Sequence, residues 1–269
     1  MPISSDQQTA LETADIINNS LNSTCDWLRA NKISVNVDKT KYLLFSYKKL
    51  FTLPDIVLND SIIQRTDRIK FLGVVLDEKL NFDHHINYIL GKTSKTLGVL
   101  YRVKQILPVH IVKSLYSTFI LPYFLYGIEV WFGSSGFSRN KIFIQQKRVV
   151  RTIAGLPFNH HTSAHFKQLK ILKFHDLYER QVAVIMHQSI NRDMYHCISS
   201  RLILHSNVHS HATRNRNLYA VPRFAKAKSQ KSLLYNCVST WNRISQLFNH
   251  DLSLNSFKVK LTDYYLGQY

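Results

Sequence analysis

Apolar residues return every three or four positions at Leu11, Ala14, Ile17, Leu21, Cys25 and Leu28, which predicts a helix through Ala30 with one buried face. Ser5 and Gln8 precede that run with the spacing of a capping box, in which the hydroxyl accepts from a first-turn amide and the glutamine reaches back. The period then falls to two. Ile33, Val35 and Val37 alternate with polar residues and predict a strand, followed by a turn near Asp38 and a second short strand over 42–45. Asn59-Asp60-Ser61 predicts a turn between strands at 56–58 and 62–63, and the nearly continuous apolar run 71–76 reads as one buried strand.

After Asp83 the pattern is helical. Ile86, Ile89, Leu90, Thr93, Leu97 and Leu100 mark one helix, and Pro108 opens another through Ile111, Leu115, Phe119 and Ile120, which Pro122 ends or kinks. Residues 123–132 (YFLYGIEVWF) are too few to cross a bilayer and predict a buried core helix. Ser138 is placed to cap a helix carrying Ile142, Val149 and Ile153, and 175–191 predicts a further one. Residues 195–228, rich in Ser, His, Asn and Arg, read as a linker or a loop, before helices near 231–247 and 256–266. The fold class is therefore α+β: a small partial antiparallel sheet with one packed helix, then a mostly α-helical remainder. The expected divisions are 1–82, 83–193, a basic linker 194–230, and C-terminal helices 231–269.

Charge sharpens this division. Residues 1–90 hold 10 Lys/Arg against 11 Asp/Glu, whereas 91–269 hold 25 against 6, within a whole-chain net charge of +18. So basic a region attracts polyanions by counterion release, and nucleic acid is the expected partner. No apolar run reaches the length of a membrane span and no signal-peptide pattern opens the chain, so no membrane partner is expected and an intracellular location, cytoplasm and nucleus, is. Three widely spaced cysteines, Cys25, Cys197 and Cys237, fit a reducing compartment.

The candidate chemistry is sparse. The adjacent acids Asp77 and Glu78 follow the apolar run and read as a solvated turn, not as the paired carboxylates that hold two divalent metals. The histidine groups His84/His85, His160/His161 and His205/His209/His211 lack the cysteine spacing of a zinc site, and no nucleophile elbow, P-loop or dinucleotide glycine pattern occurs. The expected metal set is none. Lys141, Lys147, Arg148 and Arg151 share one face of a predicted helix, as suits a phosphate backbone or a merely solvated surface. Arg214, Arg216, Arg223, Lys226, Lys228 and Lys231 are interleaved with Tyr219 and Phe224, as suits stacked bases held between phosphate contacts, or a flexible basic loop.

Two segments, NKISVNVDKT at 31–40 and KFLGVVLD at 70–77, resemble in order and spacing the motif D turn and motif E hairpin of reverse transcriptases of non-LTR (jockey-like, LINE-type) retrotransposons. LPYFLYGIEVW and IQQKRVVRTIAG extend the resemblance, which covers about 10–266. It implies that 1–82 is the end of a polymerase palm and 83–193 a thumb. It also implies that Lys39 is the motif D lysine, beside the nucleotide site and able to offset charge on pyrophosphate, and that Lys70 and Gly73 position the primer terminus; a turn lysine facing water is the alternative for Lys39. The family's metal-binding Asp-Asp pair lies upstream of the helix leading into motif D and has no counterpart here. The expectation is the C-terminal part of an RNA-directed DNA polymerase, contributing primer grip and template-primer binding but inactive alone. Its partners would be RNA template, DNA primer and the upstream palm and fingers, with Mg2+ as cofactor of the full-length enzyme only. The rival expectations are a non-catalytic nucleic-acid-binding protein derived from a decayed or domesticated element, and a basic helical scaffold for protein.

Overall fold

The computed structural model describes residues 5–45, 54–191, 194–208, 214–224, 231–248 and 252–269, with side chains from Ala10 onward. The expected capping pair Ser5 and Gln8, and the His209 and His211 side chains, lie outside the described residues. The chain forms two compact units, Met1–His84 and His85–Tyr269.

The first unit is one long helix and three short strand pairs. Helix α1 (Ser5–Ala30) buries Ala14 and Cys25 against Ile56, Leu58 and Ile63, with Ile17, Leu21, Val35, Val37 and Tyr42 packed around that cluster. Leu11, expected on the buried face, is exposed. The helix stops where Lys32 takes a left-handed conformation (φ 58°) and the Ile33 amide reaches back to the Leu28 carbonyl at 2.9 Å, closing the last turn.

The strand predicted at Ile33, Val35 and Val37 does not form. Val35 and Val37 still turn toward the cluster, but among the described residues no strand pairs with them, and Val37–Lys39 closes into a 3-10 turn. Strand β1 (Lys41–Tyr42) pairs in parallel with β4 (Gln64–Arg65), and is shorter than the 42–45 strand expected. Strands β2 (Val57–Leu58) and β3 (Ser61–Ile62) form an antiparallel hairpin. Its loop is Asn59-Asp60, both left-handed (φ 47° and 59°), the geometry whose twist matches flanking strands and which Asn and Asp tolerate best after glycine.

The run 71–76, expected as one buried strand, is instead folded back on itself. Strands β5 (Arg68–Phe71) and β6 (Val74–Asp77) pair antiparallel, with Phe71 opposite Val74, around a Leu72-Gly73 turn. Apolar continuity concealed the turn, because Leu72 sits at its tip and is 76% exposed.

Among its described residues, the second unit is mostly helical. It comprises α2 (Asp83–Val103, entering from His85), α3 (Val109–Phe119), α4 (Leu121–Leu125), α5 (Ile128–Trp131) and α6 (Gly136–Ile153). There follow α7 (Ser163–Gln168), α8 (Phe174–Asn191), α9 (His196–Ser199), α10 (His205–Val208), α11 (Leu233–Ile244) and α12 (Leu254–Gly267). Helix α8 is the hub, packed by α4, α5, α6, α9, α11 and α12. An aromatic core gathers beside it: Trp131 stacks on Phe174 at 5.8 Å, Phe132 stacks on Tyr178 at 3.6 Å, and the Trp131 indole donates to the Tyr126 carbonyl at 2.9 Å.

Three sequence expectations change here. Helix α3 buries Val112 and Tyr116, one position on from the expected Ile111 and Leu115, because apolar residues occupy both of its faces; the expected Ile120 is buried just past its end, whereas Phe119 is exposed. The single helix expected at 123–132 is two, α4 and α5, broken where Gly127 turns left-handed (φ 61°). The cap of α6 is Ser135, whose hydroxyl accepts the Ser138 amide at 3.1 Å, and Ser138 is itself buried in the first turn.

Candidate nucleic-acid interface

The two motif turns of the first unit are held by local bonds. The Asn36 carboxamide oxygen accepts the Lys39 amide at 3.0 Å, and the Thr40 hydroxyl donates to the Asn36 carbonyl at 2.9 Å. This fixes the backbone of the 3-10 turn and leaves the Lys39 side chain exposed. In the β5–β6 hairpin, Leu72 (φ 44°) and Gly73 (φ 85°) form a tight left-handed turn, with Lys70 and Phe71 exposed at its base. A leucine in that conformation is disfavoured by about 1 kcal/mol, whereas glycine is not, so the second position needs Gly73 and the first tolerates Leu72.

The acids at the end of the hairpin, expected in a solvated turn, are partly buried and engaged. The Asp77 carboxylate accepts the amides of Lys79 (3.1 Å), Asn81 (3.1 Å) and Phe82 (2.8 Å), closing a turn in which Leu80 and Phe82 both have positive φ. Glu78 is paired with the Arg65 guanidinium. With one carboxylate spent on amides and the other on a cation, this pair does not fit a divalent metal. Among the described residues no group of three or more His, Cys, Asp or Glu is placed to hold one.

In the second unit, α6 carries the expected basic face. Its inner side is fixed by buried glutamines: Gln146 donates to the Leu172 carbonyl at 2.9 Å and to the Tyr116 hydroxyl at 3.2 Å, while Gln145 donates to the Ser94 hydroxyl on α2 at 3.1 Å. Burial pushes the Tyr116 phenol up to about 12, so it stays a neutral partner. Turned away from Gln146, Lys141 lies over the Phe137 ring at 4.7 Å, Lys147 over Phe143 at 4.4 Å, and Arg148 over Phe158 at 5.9 Å. Each contact orients a cation without neutralising it, and so leaves it available to an anion.

The helix ends at Gly155 (φ 70°) in a double-bonded stop. The Gly155 amide donates to Thr152 and the Leu156 amide to Arg151, which turns the chain sharply into Pro157 and Phe158. Arg151 Nε then donates to the His160 carbonyl at 2.8 Å, tying the loop to the helix. Arg148 and Arg151 thereby face Tyr101 of α2 and Lys104, just past its end, across a cleft of about 700 Å³. Sequence reasoning missed Tyr101, Lys104 and Phe158. A signal existed in the Tyr-x-x-Lys spacing, which sets Lys104 Nζ 4.4 Å from the centre of the Tyr101 ring.

The C-terminal candidates stand apart. Arg214, Arg216 and Arg223 are exposed. Tyr219 is partly buried, its phenol raised by that burial, and its backbone is bonded both ways to the Asn242 carboxamide at 2.7 and 3.1 Å while it bridges to Leu204. Lys226 and Lys228 lie outside the described residues. No described helix is long and apolar enough to cross a membrane.

Neither a family model nor a solved structure matches the chain. Curated relatives do. The RNA-directed DNA polymerase from mobile element jockey of Drosophila funebris is 26% identical over 184 residues, covering 67% of this chain and 20% of the relative. The corresponding jockey polymerase of Drosophila melanogaster is 26% identical over 153 residues, covering 56% and 17%. The probable RNA-directed DNA polymerase from transposon BS of the same species is 27% identical over 143 residues, covering 51% and 16%. The chain's homologues are thus RNA-directed DNA polymerases of jockey-like and other non-LTR retrotransposons, as its motifs imply, and it spans a fifth or less of the length of these relatives.

Proposed function

We propose that this chain is the C-terminal part of a retrotransposon RNA-directed DNA polymerase, supplying primer grip and template-primer binding and performing no synthesis alone. The observation that carries this reading is the similarity to polymerases over half to two thirds of the chain. The basic face of α6 supports it, since cations oriented by neighbouring rings suit a phosphate backbone. The hairpin tip with Gly73 and Lys70 would approach the primer strand, and Lys39 would stand beside the nucleotide. RNA template and DNA primer are the partners, together with the upstream palm and fingers, in the cytoplasm and nucleus. Mg2+ would serve the full-length enzyme through carboxylates outside the described residues, because Asp77 and Glu78 are already engaged.

Binding of an RNA–DNA primer-template hybrid, followed against salt concentration, tests this. Replacing Lys141 and Lys147 by Gln should lower the slope of log K against log salt by about 2. No hybrid binding at low salt would overturn the nucleic-acid reading, and EDTA-sensitive primer extension by the chain alone would overturn the inactive one. The engagement of Asp77 and Glu78 equally favours a second reading, a non-catalytic nucleic-acid-binding protein derived from such an element. Synthesis restored by adding the upstream palm and fingers in trans would exclude it.

A further inference from the structure

The cleft between α2 and α6 lies wholly within the second unit. Ser94, Leu97, Gly98, Tyr101 and Lys104 line one wall; Arg148, Arg151, Thr152, Leu156, Pro157 and Phe158 line the other. Its volume of about 700 Å³ falls in the range of small-ligand sites. The walls are fixed by the Gln145–Ser94 bond, the Gly155 stop and the Arg151–His160 bond.

Three observations point to one kind of occupant. Lys104, Arg148 and Arg151 line the cleft with no carboxylate beside them, so it favours an anion. Each wall also presents an exposed ring with a cation above it: Tyr101, 58% exposed, with Lys104, and Phe158, 70% exposed, with Arg148. A ring with a cation over one face can stack a base on its other face while the cation reaches that base's phosphate. Finally, Gly98 occupies the interior of α2, where glycine is disfavoured, yet a Cβ there would meet nothing within 4 Å. Packing within the protein therefore does not require a glycine at this point of the cleft wall.

We propose that this cleft binds single-stranded nucleic acid, stacking an unpaired base on Tyr101 and Phe158 while Lys104, Arg148 and Arg151 hold the flanking phosphates. The proposal rests on the nucleic-acid reading above and deepens it. A duplex backbone needs only the outward cations of α6, whereas exposed rings in a cleft serve a base that has left its pair.

Fluorescence anisotropy on the full chain tests it, using an oligothymidylate of about 12 nucleotides and a blunt DNA hairpin at about 50 mM salt. Tyr101→Ala and Phe158→Ala should each weaken oligothymidylate binding about tenfold, leave hairpin binding within about twofold and leave the thermal melt unchanged; Gly98→Leu should have the same effect on binding while raising the melt slightly, since leucine is the better helix former. Unchanged oligothymidylate affinity in all three variants would overturn the proposal. So would a parallel loss of hairpin binding, which would make the cleft part of a duplex contact, or equal competition by polyglutamate, which would make it a surface for acidic protein. If the unaltered chain binds the hairpin but no single strand, the inference fails and the proposed function stands; if it binds neither, both fail.

Discussion

The two units differ most in the size of the core they build. In the first, a small cluster around Ala14, Cys25, Ile56, Leu58 and Ile63 leaves Ile16, Trp27, Ile33, Phe45, Ile62, Phe71 and Leu72 exposed. In the second, Trp131, Phe124, Phe166, Phe174, Tyr116 and Phe257 are almost wholly buried around α8. Charge divides similarly, near balance before residue 90 and strongly basic after it. The contrast teaches that the motif-bearing turns depend on local side-chain-to-backbone bonds, whereas the basic surface rests on a tertiary core. Substitutions in the two regions should therefore act by different means.

The sharpest test removes the core anchor. Trp131→Ala deletes a buried ring stacked on Phe174 and should destabilise the second unit by about 3–5 kcal/mol in urea unfolding. A loss near zero would break the comparison. In the first unit, Asp77→Ala leaves the amides of Lys79, Asn81 and Phe82 without their acceptor and should cost about 2 kcal/mol. Hydrogen exchange should rise at 78–82 while α8 stays protected; loosening of α8 would show that the turn is not a local device.

The smallest expected effect is a pH dependence confined to the second unit. His175 is solvent-accessible but sits edge-on to Phe132 and Phe143, and the partial desolvation there, aided by Arg139, lowers its pKa below the ordinary 6.5 despite opposing Asp176 and Glu179. The unfolded chain then takes up this proton first. The contribution is intact above 6.5 and declines as pH falls through that value toward the folded-state pKa. Melts between about pH 7.5 and 5.5 should show the decline, and His175→Phe should flatten it; an unchanged slope would assign it to other histidines.

Much of the fold was legible because its signals are local. The periodic face of α1, the Asn59-Asp60 turn, α2, α8 and α12 follow from spacing and turn chemistry. The misreadings have a common physical origin. Apolar residues at 71–76, on both faces of α3 and across 123–132 satisfy several periods at once, and only tertiary packing decides which are covered. The site divides the same way. Resemblance located the hairpin and the turn of Lys39, and helical spacing located the cations of α6. The cleft arises from two helices about fifty residues apart in sequence, joined by Gln145 and Ser94, and no pattern within either helix states that they meet.

Those glutamines also act as a rotational lock. Because Gln145 and Gln146 each find a specific partner, α6 has one setting about its own axis, and Lys141, Lys147, Arg148 and Arg151 inherit their direction from it. Successive residues on a helix differ by about 100° in azimuth, so one residue inserted between Arg139 and Lys141 would leave the glutamines in place and shift only the residues before it. The same insertion between Gln146 and Lys147 would swing Lys147, Arg148 and Arg151 away from the cleft. The helix is thus indexed like a keyed shaft, with its tolerance for insertion set by the side of the key on which the insertion falls.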